Sequence, residues 1–160
     1  MTAPLVAAVI VASNRAAAGV YDDTTGPIIV EAMRADGWTV GDPVVVPDGR
    51  PVADAIRAAV DSGARVVLTT GGTGLTPTDR TPEVTRPLLD RMVPGIAEAI
   101  RAHGLSKGVP TAMLSRGLAG TVGAALVVNL PGSAGGVRDG LEVVVPVLKH
   151  AVEQILGSDH

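Results

Sequence analysis

Residues 70–83 combine the two kinds of group that bind a phosphate together with a divalent cation. Residues 71–74, here called the glycine loop, read Gly-Gly-Thr-Gly, and Thr70 precedes them. Glycine lets the backbone take positive φ and approach a ligand closely. Successive free N–H groups beside a helix start bind anions. Asp79 and Glu83 bring carboxylates to the same place, so the stretch predicts a site for a metal-bound phosphate.

Two familiar phosphate loops are excluded by the spacing. A Walker A loop needs a lysine after its last glycine, and no lysine follows any glycine of this stretch. The dinucleotide fingerprint Gly-x-Gly-x-x-Gly needs a third glycine where Pro77 stands. A flexible strand-to-helix turn without a ligand is the alternative that the loop by itself leaves open.

The elements that must position the glycine loop are a strand before it and a helix after it. Residues 66–70 are a short apolar, β-branched run, which predicts a buried parallel strand. Thr81 is predicted to be the N-cap of the following helix, with Pro82 at the first helical position.

The alternation of strand and helix extends along the whole chain. Strands are predicted at 5–12, 66–70 and 126–130, and an interrupted strand at 38–46. Helices are predicted at 28–36, 51–61, 84–89, 94–103 and 137–156, the last with a kink or break at Pro146. Residues 109–118 are expected to be irregular. We therefore expect a single domain over residues 1–160, a three-layer α/β/α fold with a mainly parallel central sheet.

Asp48 is a second candidate ligand because it follows a predicted strand and precedes a predicted helix. It lies in the turn sequence Pro-Asp-Gly-Arg at 47–50, and an ordinary turn aspartate is the alternative. Asp22 and Asp23 are expected in a solvated turn. His103 is expected near a helix C-terminus, and nothing beside it in the sequence indicates a metal cluster.

Composition limits the classes of function. The 160 residues carry a net charge of −3, which gives no electrostatic footprint for nucleic acid, and no apolar run reaches membrane-spanning length. The absence of a signal-peptide pattern and of cysteine predicts a cytoplasmic protein without thiol chemistry. Hydrophobic residues make up 46% of the chain, so we expect a partner subunit to cover part of the apolar surface.

Several motifs in a fixed order resemble one family. They are Thr-Thr-Gly-Gly-Thr-Gly at 69–74, Asp-x-Thr-Pro-Glu at 79–83, Ser-Arg at 115–116 and Asn-Leu-Pro-Gly-Ser at 129–133. They resemble the molybdopterin-binding domain of molybdenum-cofactor biosynthesis, of the single-domain Mog/MoaB type, which is also the G domain of gephyrin. The resemblance covers the chain from Val9 to the final helix.

The resemblance implies a molybdopterin adenylyltransferase with Mg²⁺ as cofactor and ATP and molybdopterin as substrates. The products would be adenylyl-molybdopterin and pyrophosphate. It also implies a homotrimer and a downstream molybdenum-insertion protein as a partner. Asp48 and Asp79 match the family's catalytic and metal-binding carboxylates. The residues that match its phosphate and pterin site are Thr70, Gly71, Gly72, Thr73, Gly74, Ser115, Asn129, Pro131, Gly132 and Ser133.

One position departs from the family pattern. Asn14 stands in Ser-Asn-Arg where the family usually has Ser-Asp-Arg, so the hydrogen-bonding shape is kept and the charge is lost. Some relatives bind the pterin with weak or no adenylylation, and a molybdopterin-binding carrier is therefore the alternative function. Retention of both Asp48 and Asp79 favours the enzyme.

Overall fold

The computed structural model describes residues 4–158. The strands are β1 (Val6–Ala12), β2 (Thr39–Val40), β3 (Val44–Val46), β4 (Val66–Thr70), β5 (Arg91–Met92), β6 (Ala119–Val122) and β7 (Ala125–Leu130). The α-helices are α1 (Asn14–Ala17), α2 (Thr25–Ala35), α3 (Arg50–Asp61), α4 (Thr81–Thr85), α5 (Pro94–Ser106) and α6 (Ala134–Ile155). Two short 3₁₀ helices cover Arg86–Leu88 and Pro110–Leu114.

The strands form one mainly parallel sheet, as predicted. Its order is β2-β1-β4-β7-β6-β5, with β3 also paired to β1. β1 is parallel to β2, β3 and β4, and β4 is parallel to β7. Thr70 at the end of β4 is in register with Val11 on one side and Leu130 on the other. The carboxyl ends of the three central strands therefore lie side by side.

Helices cover both faces of the sheet and confirm the three-layer α/β expectation. One face packs against α2, α5 and α6 through strand residues that include Val9, Leu68 and Val128. The other face packs against α3, whose Val52 and Ile56 are fully buried. Among residues 4–158, no helix is long and apolar enough to cross a membrane.

The antiparallel edge of the sheet was not predicted. Residues 109–118 were expected to be irregular, and a 3₁₀ helix lies there, but β6 follows at once and pairs antiparallel with β7. β5 then pairs with β6. The sequence of β6 is Ala-Gly-Thr-Val, and such small residues leave almost no hydrophobic pattern for sequence reading to detect.

The predicted break at Pro146 is wrong, because α6 runs without interruption from Ala134 to Ile155, whereas the kink offered as its alternative stays a prediction. Pro146 is exposed while Val144 and Leu148 on either side of it are fully buried. The carbonyl that loses its helical partner thus lies on the solvent side, where water can satisfy it. Apolar residues of both halves of the helix pack into the core on the opposite face. The interruption predicted at 41–43 does occur, and it separates β2 from β3.

Asn129 joins the elements that surround the glycine loop. Its side chain is only 3% exposed in the middle of the sheet. Its Nδ2 donates to Thr69 Oγ1 at 2.9 Å and to Thr85 Oγ1 at 3.3 Å, and its Oδ1 accepts from Leu118 N at 3.0 Å. A single amide therefore ties β7 to β4, to α4 and to the chain that enters β6.

We expect Asn129→Leu to lower the free energy of unfolding by about 2 kcal/mol, because the buried Thr69 hydroxyl and the partly buried Leu118 N–H both lose their partner. Urea unfolding followed by circular dichroism at one protein concentration measures this. Thr85→Val is the matched control, since it removes only the 3.3 Å contact, and it should cost less than about 1 kcal/mol. An Asn129→Leu loss no larger than the control's would contradict this role.

Candidate functional site

The glycine loop leaves the sheet between two other loops. Thr70 Oγ1 donates to Pro131 O at 2.6 Å, which ties the end of β4 to the segment after β7. A Cβ added to Gly132 would lie 3.2 Å from Gly71 Cα. The structure thus brings the glycine loop and residues 131–133 together, as the sequence predicts for loops at one edge of a parallel sheet.

All four carbonyl groups of the glycine loop accept hydrogen bonds from two residues outside it. Thr81 donates its Oγ1 hydrogen to Gly71 O at 2.9 Å and its backbone N–H to Gly72 O at 3.0 Å. Arg116 donates its backbone N–H to Thr73 O at 2.9 Å and Nε–H to Gly74 O at 2.8 Å. The loop's acceptors are therefore all used inside the protein.

The amides of the same peptide groups are left available. Each of these peptide bonds is trans, and in a planar trans peptide the N–H points opposite to the carbonyl of the preceding residue. The N–H groups of residues 72–75 therefore point away from Thr81 and Arg116. Within residues 4–158 none of them has a hydrogen-bond acceptor. A run of such donors is suited to binding an anion.

Glycine is required at the first two loop positions. Gly71 and Gly72 have φ of 89° and 69°, the left-handed region that favours glycine. A side chain at Gly71 would collide with the Ala12 carbonyl of β1, and one at Gly72 with the Thr81 hydroxyl. The same Cβ at Gly72 would lie 3.0 Å from an oxygen of Asp48, so this carboxylate directly faces the loop.

Thr81 has a different role from the one predicted. The N-cap of α4 is Arg80, and Thr81 is the first residue of the helix, followed by Pro82. Thr81 is fully buried, and its hydroxyl donates to Gly71 O instead of accepting from a helical N–H. The prediction of the N-cap is thus wrong by one residue, because the hydroxyl is used by the glycine loop.

The carboxylates of Asp48 and Asp79 lie against different residues of the glycine loop. Asp79 Oδ2 accepts from Thr76 N at 3.0 Å, which closes the turn after the loop. A Cβ added to Gly74 would lie 2.8 Å from that same oxygen. Asp79 therefore lies against Gly74, and Asp48 lies against Gly72. The two predicted carboxylates are brought to one site.

The surroundings of Asp48 disfavour its negative charge. Burial raises the pKa of the Asp48 carboxyl, and the nearby charge of Asp79 raises it further. A hydrogen bond from the Asn14 backbone lowers it, but the pKa stays above its ordinary value. Asn14 Oδ1 also accepts from Asp48 N at 2.9 Å. The amide at position 14 thus supports the turn that carries Asp48 without adding a third negative charge.

Glu83 is paired with an arginine that sequence reasoning did not assign to the site. Arg116 Nη1 lies 2.6 Å from Glu83 Oε2, and this hydrogen bond lowers the pKa of Glu83. Arg116 Nη2 also donates to Asp79 O at 3.0 Å. The Ser-Arg motif at 115–116 was the only feature of the sequence that pointed to this arginine, and the residues around it do not show what the guanidinium contacts.

Two neighbouring cavities are lined by the predicted pterin residues, and the first of them also adjoins the glycine loop. One, of about 380 Å³, is lined by residues that include Thr73, Asp79, Ser115 and Gly132. The other, of about 210 Å³, shares Ser115 and Pro131 with it and extends to Arg101, Ser133 and Asp139. Ser133 is the N-cap of α6, where its Oγ accepts from Gly136 N at 3.0 Å.

A third cavity lies beside Gly71, at the start of the glycine loop. It has about 140 Å³ and is lined by residues that include Ser13, Tyr21, Thr25 and Gly71. Asp23, expected in a solvated turn, accepts from the N–H groups of Thr25 and Gly26 at the start of α2. The side chains of Asn129 and Thr70 are committed to the hydrogen bonds above, so their predicted part in ligand binding stays a prediction.

Comparisons with known proteins agree with this geometry. The family profile described as probable molybdopterin binding domain matches residues 8–150. The molybdopterin adenylyltransferase of Helicobacter pylori strain J99 is 38% identical over 94% of this chain and 87% of its own length. The molybdenum cofactor biosynthesis bifunctional protein of Synechococcus elongatus is 39% identical over 96% of this chain, which spans about half (48%) of that protein.

A solved structure shares the fold at high similarity. The molybdopterin biosynthesis Mog protein from Mycobacterium ulcerans superimposes with a TM-score of 0.89 and 51% identity, covering 96% of this chain and 99% of that one.

We expect Asp48→Asn to raise the melting temperature at neutral pH in the presence of EDTA. A carboxyl whose pKa is raised by folding holds its proton more tightly in the folded chain, so stability is lost as pH rises through the folded pKa. The increase in melting temperature should shrink as the pH falls below 3.8, the ordinary pKa of an aspartate. Scanning calorimetry from pH 3 to 8 measures it, with exposed Asp54→Asn as control. A variant that melts lower than wild type at pH 7 would contradict this account.

Proposed function

The chain belongs to the family of probable molybdopterin-binding domains, and on that premise we propose that it is a molybdopterin adenylyltransferase. It transfers AMP from Mg-ATP to the terminal phosphate of molybdopterin, giving adenylyl-molybdopterin and pyrophosphate. One observation carries the proposal. The glycine loop has every carbonyl paired within the protein and leaves its amides available beside two carboxylates.

The reaction brings two anions together. A phosphate oxygen of the pterin attacks the α-phosphorus of ATP, a new P–O bond forms, and the bond to the β-phosphate oxygen breaks with release of pyrophosphate. The nucleophile is already ionised, so the protein needs no general base. Its task is to bind the phosphates and to compensate their charge in the transition state. The amides of residues 72–75 supply such donors without the reorganisation that water would require.

Asp48 and Asp79 fit a magnesium ion. Their oxygens approach Gly72 and Gly74 of one short loop, and the charge of Asp79 helps to raise the pKa of Asp48. Two carboxylates beside an anion site repel each other and the ligand unless a cation lies between them. Mg²⁺ prefers carboxylate and phosphate oxygens and, when bound, neutralises phosphate charge and holds the groups in line.

The pterin is proposed to lie on the side of Ser115 and residues 131–133. Of the two cavities there, the one of about 380 Å³ adjoins the glycine loop, and the two share lining residues with each other. A pterin bound in them would present its phosphate to the loop from one side. ATP would then approach from the other side of Gly71, where the 140 Å³ cavity lies.

Asn14 is compatible with the enzyme. Its oxygen accepts from Asp48 N, a contact that a carboxylate at this position could also make. The substitution of amide for the family's acid therefore preserves the support of Asp48. We further propose that the protein acts in the cytoplasm and passes its product to a molybdenum-insertion protein.

A homotrimer is proposed from the family and from the apolar surface. Side chains that are more than two-fifths exposed occur close together in the segment 105–114: Leu105, Val109, Met113 and Leu114. Exposed apolar groups of this density are usually covered by another chain.

We expect Asp79→Asn to keep molybdopterin binding while AMP transfer falls by about 10²-fold, the scale of losing one electrostatic contact to the transition state. Asparagine retains an oxygen that can accept from Thr76 N, so the turn should persist. Formation of adenylyl-molybdopterin from labelled Mg-ATP measures transfer, and exposed Asp61→Asn is the control. Full Mg-dependent activity of Asp79→Asn would remove the metal assignment. A wild-type chain that binds the pterin and forms no product would be a carrier.

We expect light scattering at micromolar concentration to give a mass about three times the 16.1 kDa of the chain, because the exposed apolar side chains need a covering surface. The mass of a single chain would contradict the trimer and leave the proposed reaction untouched.

A further inference from the structure

We propose that Arg116 is a positioning residue that sets the shape of the phosphate-binding loop, and that Glu83 holds it in place. The kinetic consequence of this proposal rests on the proposed function, whereas its structural part does not. Arg116 touches no position that we assign to a reacting atom. It acts through the peptide groups that it orients.

The contacts of Arg116 span the whole segment that follows Gly72. Its backbone N–H and Nε–H fix the carbonyls of Thr73 and Gly74, and Nη2–H fixes the carbonyl of Asp79. The carbonyl of Thr73 shares its peptide group with the Gly74 N–H, and the carbonyl of Gly74 shares its peptide group with the Leu75 N–H. Both N–H groups therefore point away from the arginine. The third of these carbonyls is that of Asp79, whose carboxylate is proposed to bind Mg²⁺. Arg116 thus orients the Gly74 amide through its backbone, and its side chain orients the Leu75 amide and the peptide group of Asp79.

The shape of the guanidinium matters as much as its charge. Arginine presents N–H groups in a rigid planar fork, so it can satisfy Gly74 O, Asp79 O and Glu83 together. A lysine ammonium is a point charge on a flexible stem and cannot reproduce these directions. Glu83, at 2.6 Å from Nη1, fixes the outer end of the fork.

Direct binding of phosphate by Arg116 is the competing role, and Glu83 separates the two. A glutamate that holds the arginine in place should support ligand binding. A glutamate that competes with phosphate for the arginine should weaken ligand binding, and its removal would then free a cation for the ligand. Removing Glu83 therefore changes affinity in opposite directions under the two roles.

The test compares Arg116→Ala, Arg116→Lys and Glu83→Ala in the full chain. Arg34→Ala is the matched control, because Arg34 donates Nε–H and Nη2–H to the carbonyl of Val40, at the amino end of β1 and away from the loop. Calorimetry gives the dissociation constant of Mg-ATP. Hydrogen exchange of the ligand-free chain reports the Thr76 and Thr81 amides, which bond Asp79 Oδ2 and Gly72 O. Thermal melts verify folding.

We expect both Arg116 variants to raise the dissociation constant about tenfold or more, with no rescue by lysine. Glu83→Ala should raise it by a smaller factor. Exchange at Thr76 and Thr81 should accelerate in all three variants and stay at the wild-type rate in Arg34→Ala. Glu83 is exposed, so Glu83→Ala tests the proposal even if an Arg116 variant fails to fold.

Wild-type affinity of Arg116→Lys, or tighter Mg-ATP binding by Glu83→Ala, would overturn the proposal in favour of a direct phosphate contact. Unchanged exchange in all three variants would overturn it as well. Failure of the proposed function gives a different pattern. A wild-type chain that binds no ATP or transfers no AMP refutes the enzyme, and the exchange rates still decide whether Arg116 holds the loop.

Discussion

The site depends on the direction of four peptide planes. A backbone loop can bind an anion only if its N–H groups converge, and this requires that its carbonyls find partners elsewhere. Thr81 and Arg116 provide those partners from opposite ends of the loop. The strands fix where this happens, since β4 lies between β1 and β7. The close approach of Gly71 to the Ala12 carbonyl then leaves room only for glycine.

Charge around this loop is distributed unevenly. Glu83 is matched by Arg116, so it contributes little net negative potential to the anion site. Neither Asp48 nor Asp79 forms a salt bridge within residues 4–158, although the charge of Asp79 does interact with that of Arg116. Burial raises the pKa of Asp48, and the charge of Asp79 adds to this rise. The magnesium ion proposed above would compensate the charge of these two carboxylates beside a bound phosphate.

Sequence reading succeeded where a signal is local. The runs at 66–70 and 126–130 are mostly apolar because both faces of these central strands are buried, and the glycines mark the loop that follows. It failed where the deciding contact is distant. Arg116 is 42 residues from Gly74, so no spacing rule could assign it. A threonine before a proline is a typical helix N-cap sequence. The sequence does not show that the hydroxyl of Thr81 instead donates to the carbonyl of Gly71, ten residues away.

Those distant contacts explain why the glycine sequence alone does not define the site. The same four residues in another protein could point their carbonyls outward and bind nothing. Here β4 holds the start of the loop, α4 supplies Thr81, and the chain before β6 supplies Arg116. Asn129 ties all three segments together through Thr69, Thr85 and Leu118. A buried polar side chain is costly unless each of its groups is paired, and this one is paired with the three elements that shape the loop. Its hydrogen bonds therefore couple the packing of the core to the orientation of the loop amides that we propose bind an anion.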